Sequence, residues 1–167
     1  FDYLVDLHTA SFGRVNSLYV RADLDDEVTR LMALRQRPQI ILHNQGSDST
    51  LRGAAMERGI PAITVEVGDP NRFQQKFIKA TRQGIWNVLS DAKMLAKRRV
   101  KEPKVPILCS SSEWLYTDHG GLLEVLPQVA DMVQENERIA VLRDAYGDVV
   151  RTYRAPYPAV VIGKSVN

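Results

Sequence analysis

Helical periodicity runs through the first hundred residues of this chain and then stops. Before Val100, apolar runs of strand length alternate with amphipathic helical segments. After it, only short β-type runs remain, separated by turn residues. Tyr3 to Leu7 reads as a short buried strand, Ser11 to Asn16 as loop, and Leu18-Tyr19-Val20 as a second strand. Asp25 and Asp26 are placed to cap a helix with Val28, Leu31 and Met32 inward, which Pro38 ends. Ile40-Ile41-Leu42 is the next strand. Ser47 to Thr50 leads into a short helix with Leu51, Ala54 and Ala55 inward, closed by Gly59 as C-cap. Pro61 begins the strand Ala62–Val67. Asp69-Pro70 then predicts the start of a long helix with Phe73, Phe77, Ile85, Trp86 and Leu89 near one stripe.

Strands alternating with helices in this way predict an α/β unit over residues 1–97, with a parallel sheet and flanking helices. The stretch from Lys93 to Lys104 holds six basic residues and one Pro, and predicts a helix end followed by a linker over 98–104. Beyond it, Ile107-Leu108, Trp114-Leu115-Tyr116, Leu122–Leu126, Arg138–Leu142, Val149–Tyr153 and Ala159–Ile162 predict a small all-β module over 105–167. Gly120-Gly121, Tyr146-Gly147-Asp148 and Ala155-Pro156 supply its turns. The chain opens on Phe1 directly into an apolar strand and stops at Asn167 just after another, the expectation for part of a longer protein.

Composition narrows the function classes. A net charge of +2 gives no field for nucleic acid or an anionic membrane surface, and no apolar run is long enough to span a bilayer. One cysteine, Cys109, excludes an internal disulfide framework and points to the cytoplasm. No Gly-rich phosphate loop follows any strand, and neither hairpin-like turn offers the lysine of a biotinyl or lipoyl carrier. Lys97-Arg98-Arg99-Val100-Lys101 lacks stacking aromatics and reads as a solvated helix end. Cys109 reads as an inert thiol, His43 as structural or as a group supporting a site, His119 as exposed, and Trp86 and Trp114 as packing residues.

In open sheets of this kind, ligands gather at the carboxyl ends of strands. His8 directly follows Tyr3–Leu7, with Asp6 on the same side. Within Ala62–Val67, Ile63, Val65 and Val67 share one face while Thr64 and Glu66 share the other. A carboxylate near the end of a buried strand requires a charge partner, a hydrogen-bond network or a metal. On these residues alone, structural and functional roles both fit.

Asp6-Leu7-His8-Thr9-Ala10, followed by Gly13-Arg14-Val15-Asn16, resembles the segment bearing the third zinc ligand in the succinylglutamate desuccinylase/aspartoacylase family, relatives of the zinc carboxypeptidases. Ile63-Thr64-Val65-Glu66-Val67-Gly68 is similar to the family's segment with the catalytic glutamate. The region from Trp114, notably Gly120-Gly121-Leu122-Leu123 and Asp144-Ala145-Tyr146-Gly147-Asp148, resembles its β-rich appended domain. The resemblance implies the carboxy-terminal part of a zinc-carboxypeptidase-like α/β fold with a parallel or mixed sheet. It implies hydrolysis of an N-acyl amide in a small carboxylate-bearing, amino-acid-like substrate, with zinc as cofactor. His8 becomes a zinc ligand, Glu66 the general base, and Arg52, Arg14 and Asn16 substrate-binding residues. Neither nucleic acid nor a membrane is implied as partner, and a homo-oligomer is left open.

One departure matters. The family's other two zinc ligands form a His-x-x-Glu pair, and this sequence has none: His8, His43 and His119 are followed three residues later by Ser11, Gly46 and Leu122. The isolated chain is therefore expected to hold zinc weakly or not at all and to lack hydrolase activity. The rival from another class is a binding or scaffold protein that kept the fold without the metal.

Overall fold

Ile63 and Val65 face one side of their strand, Thr64 and Glu66 the other, and the molecule is organised around that alternation. The computed structural model describes residues 1–46, 49–96 and 105–166. Its first part contains β1 (Leu4–His8), β2 (Arg14–Asn16), β3 (Leu18–Ala22), α1 (Glu27–Arg35), β4 (Ile40–His43), α2 (Leu51–Met56), β5 (Ala62–Val67) and α3 (Gln75–Asp91). Its second part contains β6 (Ile107–Cys109), β7 (Leu122–Val125), β8 (Met132–Val133), β9 (Arg138–Arg143), β10 (Val149–Arg154), β11 (Ala159–Val160) and β12 (Gly163–Ser165). The predicted linker over 98–104 and the lead-in at Ser47 lie outside the described residues. Among those described, no helix is long and apolar enough to cross a membrane.

The main sheet is mixed. Its order is β1-β5-β3-β4-β6, with β1 parallel to β5 and β4 parallel to both β3 and β6, but β3 antiparallel to β5. The expectation of a parallel sheet is corrected at that one junction: after α2 the chain returns in the opposite direction and inserts β5 between β1 and β3. Periodicity carries no information on strand direction. Ile107-Leu108, expected in the β module, instead forms the β6 edge of this sheet, with Ile40 opposite Ile107.

One face of the sheet carries the main core, where Val20, Ala22, Ile41, Ile63 and Val65 meet Met32, Ala33 and Val88 from α1 and α3. Burying such aliphatic side chains stabilises the fold by about 1.5–3 kcal/mol each. Helix α1 is rotated from its expected orientation: Thr29, Met32 and Ala33 are buried, while Val28 and Leu31 are exposed and line a surface depression with Tyr3 and Ala92. Asp26 caps it by accepting from Thr29 N at 2.7 Å. At Gly84 the two helices approach so closely that a Cβ would meet the Gln36 backbone at 2.7 Å.

Two further helix expectations are corrected. In α2, Arg52 and Gly53 are the buried residues and Leu51 is exposed, because the short helix turns Arg52 inward onto the loop after β4. Helix α3 starts at Gln75, not at Asp69-Pro70. Positive φ at Gly68 (73°) and Asn71 (55°) first bends the chain, and the Gln74 side chain exchanges hydrogen bonds with Asp69 across that bend. Phe73 consequently lies outside the helix and is exposed.

On the opposite face, Tyr19, Ile40 and Leu42 pack beneath Cys109, Ala130, Val160 and Ile162. The second part covers this face through Ala130, Val160 and Ile162, and it also contains an antiparallel sheet ordered β10-β9-β7 and the pair β11–β8. The Tyr146-Gly147-Asp148 turn joins β9 to β10, with Asp144 Oδ1 accepting from both Tyr146 N and Asp148 N. The predicted strand Trp114–Tyr116 is not a strand. That exposed segment is held by Asp118, which accepts from the Tyr153 hydroxyl at 2.7 Å and from Arg151 Nη2 at 2.9 Å. Part of the Ser11–Asn16 loop is a strand after all: β2 pairs antiparallel with β12, placing Asn16 opposite Gly163. No local pattern in residues 11–16 marks it, since its partner lies far along the chain.

Candidate functional site

Register assembles the site. In the parallel pair β1–β5, His8 lies opposite Glu66 and Asp6 opposite Thr64. In the antiparallel pair β3–β5, Tyr19 lies opposite Glu66 and Arg21 opposite Thr64. Cross-strand partners share a face. The result is two adjacent rows on the face away from the main core, His8–Glu66–Tyr19 and Asp6–Thr64–Arg21.

Glu66 is buried to 7% exposure. Asn16 Nδ2 donates to its Oε2 at 3.4 Å, and Arg21 Nε stands 3.7 Å from its Oε1. Burial pushes the carboxyl above its ordinary range, and the opposing pull of Arg21, His8, Asn16 and Tyr19 does not cancel this. The arrangement is that of a base whose proton affinity has been lifted while its orientation is held from two sides.

His8 is half exposed at the end of β1, and its Nε2 is 2.9 Å from Asp6 Oδ2. A carboxylate on one ring nitrogen fixes the imidazole and leaves Nδ1 to act as a ligand, the pairing found behind histidines that hold transition metals. His8 thus fits one position of a metal site next to Glu66.

The other predicted residues are placed as follows. Asn16 is buried and belongs to the Glu66 cluster. Arg14 is stacked over the Trp114 ring at 4.4 Å from its centroid, so Trp114 ties the second part of the chain to the segment after β1. Arg52 is 3% exposed, and both of its Nη atoms donate to Asn44, one to the backbone oxygen at 2.7 Å and one to Oδ1. Burial and the neighbouring Arg21 lower its pKa.

His43 stands at the level of Ala22, three positions along β3 from Tyr19, hence about 10 Å from the Glu66 row at a strand's usual rise. Its Nδ1 accepts from Leu24 N at 3.1 Å, which braces the turn into α1. Asp23, Asp25 and His43 bring ligand-type atoms within 4.8 Å of one another, but the Nδ1 lone pair is already engaged by Leu24. His119 is exposed beside Asp118. Cys109 is half-buried, and burial raises its thiol pKa, which disfavours the thiolate.

Tyr19 and Arg21 escaped the sequence reading. Arg21 Nη2 donates to the Tyr19 hydroxyl at 2.8 Å, linking the two rows. Their alternation in Leu18–Ala22 was visible, but only the register against β5 shows that their face is the face of Glu66.

A family model described as the succinylglutamate desuccinylase/aspartoacylase catalytic domain matches residues 1–92. Among solved structures, the chain is similar to the apo ectoine utilization protein EutE (DoeB) from Ruegeria pomeroyi, with a TM-score of 0.86 and 17% identity over 99% of this chain and 55% of that one. It is similar also to a succinylglutamate desuccinylase from Silicibacter sp. TM1040, with a TM-score of 0.85 and 22% identity over 99% of this chain and 54% of that one. A succinylglutamate desuccinylase/aspartoacylase from Rhodobacter sphaeroides follows at 0.78 and 19%, over 98% and 53%. At these identities the likeness is one of fold, and the chain spans little more than half of each of these relatives. No curated protein matches in a sequence search.

Proposed function

Because the chain belongs to the succinylglutamate desuccinylase/aspartoacylase family, we propose that it contributes the general base, Glu66, and one zinc ligand, His8, to the hydrolysis of an N-acyl amide. The substrate class is a small, amino-acid-like amide bearing a carboxylate. The observation that carries this reading is the pairing of His8 with a buried, proton-avid Glu66 in one cross-strand row. When bound, zinc supplies a lowered pKa for water and polarisation of the scissile carbonyl.

The chain's own residues do the rest. Glu66 takes the proton from the attacking water and returns it to the departing nitrogen. Asn16 and Arg21 keep its two oxygens in place. Asp6 holds the His8 ring. The β-rich part from about residue 105 packs over the Tyr19 side of the same face, which supports a role in narrowing access and excluding water. The sequence has no His-x-x-Glu pair, so His8 needs ligands from outside these residues, and this chain alone binds zinc weakly or not at all and hydrolyses nothing. The unpaired Cys109 supports a cytoplasmic setting.

The test is metal analysis and amide hydrolysis on the full-length protein. Stoichiometric zinc, with activity abolished by Glu66→Gln while the zinc stays, supports the enzyme. A metal-free protein without amidase activity, whose ligand binding ignores Glu66→Gln, would make it a scaffold instead.

A further inference from the structure

We propose that Tyr19 is a positioning residue for the reaction. Held by Arg21, its buried hydroxyl donates to the Glu66 carboxylate and fixes the direction in which that carboxylate acts. This rests on the hydrolase reading above and adds a residue to its machinery. Tyr19 and Arg21 stand on one face of β3, and Tyr19 lies directly opposite Glu66 in the antiparallel pair β3–β5. Arg21 Nη2 donates to the Tyr19 oxygen at 2.8 Å, and the guanidinium lies 5.4 Å from the Tyr19 ring centroid. The same guanidinium is ion-paired with Glu66, its Nε standing 3.7 Å from Oε1. The three side chains thus close a triangle.

A buried tyrosine hydroxyl needs a partner for its proton as well as for its lone pair. Arg21 meets the lone pair but, being a donor only, cannot take the proton. Tyr19 is 3% exposed, which keeps bulk water from its hydroxyl, and the Glu66 carboxylate across the strand pair accepts. Burial, and after it the Glu66 charge, holds the phenol above its ordinary pKa, so the hydroxyl stays a donor through the neutral range. The other two contacts to Glu66 are long, Asn16 Nδ2 at 3.4 Å and Arg21 Nε at 3.7 Å, and leave play that the hydroxyl removes. The Tyr19 ring cannot swing away, because it packs with Ile40 and Leu42 beneath Cys109, Ala130, Val160 and Ile162. The β-rich part thereby acts on the base through this ring. A phenylalanine would fill the same space, so the hydroxyl alone separates the two residues.

Two measurements on the full-length protein test this. By NMR, the sheltered Tyr19 hydroxyl proton should give a slowly exchanging downfield resonance that moves upfield in Glu66→Gln, whose neutral amide is the weaker acceptor. In steady-state amide hydrolysis, Tyr19→Phe should lower kcat by about 10–100-fold, the cost of a misdirected catalytic group, while KM and the melting temperature stay close to those of the parent. The resonance is read with Tyr19 in place, so it stands whatever the fold of Tyr19→Phe. An unchanged kcat in a folded Tyr19→Phe protein, a loss carried by KM alone, or a Tyr19 resonance indifferent to Glu66→Gln would each overturn the proposal while the active parent upholds the hydrolase reading. A parent without amidase activity would overturn both, so the activity of the parent tells the two failures apart.

Discussion

His8 and Glu66 are direct cross-strand partners in the parallel pair β1–β5, although three strands and two helices lie between them along the chain. An imidazole and a carboxylate are thereby set on one face by backbone hydrogen bonding alone. Adjacent strands lie about 4.8 Å apart.

That pairing makes Asp6 a sensitive position. It holds His8 Nε2 at 2.9 Å and touches neither substrate nor Glu66 in the arrangement described. Asp6→Ala in the full-length protein is expected to weaken zinc binding by about 10–100-fold, the usual range for loss of such a partner. Competition against a chelating dye would measure it, and unchanged affinity would remove Asp6 from the support of the ligand.

Glu66 should weaken the fold it serves. Its pKa is raised in the folded state, chiefly by burial. Below the ordinary carboxylate range it is protonated in both folded and unfolded chains and has no effect. Above the folded value it is ionised in both, and the folded state carries the desolvation penalty. Glu66→Gln should therefore raise the unfolding free energy at neutral pH, with the gain shrinking as the pH falls through and below the carboxylate range. Urea melts at pH 4 and pH 7 give the comparison; a destabilised variant at pH 7 would show that Arg21 and Asn16 outweigh burial.

Asp26 has the opposite sign. Its carboxyl pKa is lowered, first through the side-chain bond from Thr29 at the start of α1. The cap's contribution is present above the unfolded pKa and is lost as pH falls through the folded value. Asp26→Ala should lower stability by about 1 kcal/mol at neutral pH and less in acid, while Asp26→Asn keeps most of the cap. Thermal melts of the two variants check this.

Arg52 offers a test of structure against substrate binding. With its guanidinium donating to Asn44, Arg52→Ala strands a carbonyl and an amide oxygen in a part-buried loop. The expected loss is about 1–3 kcal/mol of stability. Thermal melts measure the loss; a variant that melts like the parent while KM for the amide rises in the full-length protein would give Arg52 a part in binding as well.

How far the residues disclose this site depends on what kind of information each feature needs. The face on which Glu66 lies was legible because alternation within one strand separates Thr64 and Glu66 from Ile63 and Val65, whereas the roles given to Glu66 and His8 come from the family resemblance and not from the pattern. Tyr19 and Arg21 were not, since their importance comes from an antiparallel register that no periodicity encodes. The face of α1 was misjudged for a related reason. Val28, Leu31 and Met32 are spaced as an inward stripe, yet Thr29 and Ala33 face inward with Met32 while Val28 and Leu31 are exposed, because docking of the helix and not its spacing alone selects the buried face. Strand β2 is invisible locally, because Arg14–Asn16 becomes a strand only when β12 is beside it.

The same pair predicts an effect at distance. A Cβ at Gly163 would run into Asn16 Oδ1 and approach Val15 O at 3.0 Å. Gly163→Ala should displace Asn16 from Glu66 and lower stability by about 1–3 kcal/mol, the range for overpacking a tight contact. Urea unfolding measures the loss, and an NMR shift of the Asn16 side-chain amide would report the displacement.

The β2–β12 ribbon also has a consequence in time. Ser165 and Gly13, bonded through the Ser165 hydroxyl, are 152 positions apart, so the ribbon cannot close until nearly all of the intervening chain has been synthesised. Helices and neighbouring strands form from nearby contacts and can collapse early, whereas a closure of this span is late and slow. On the ribosome, β2 therefore has no strand partner until β12 has been made, while β5 is already available to β1 and β3.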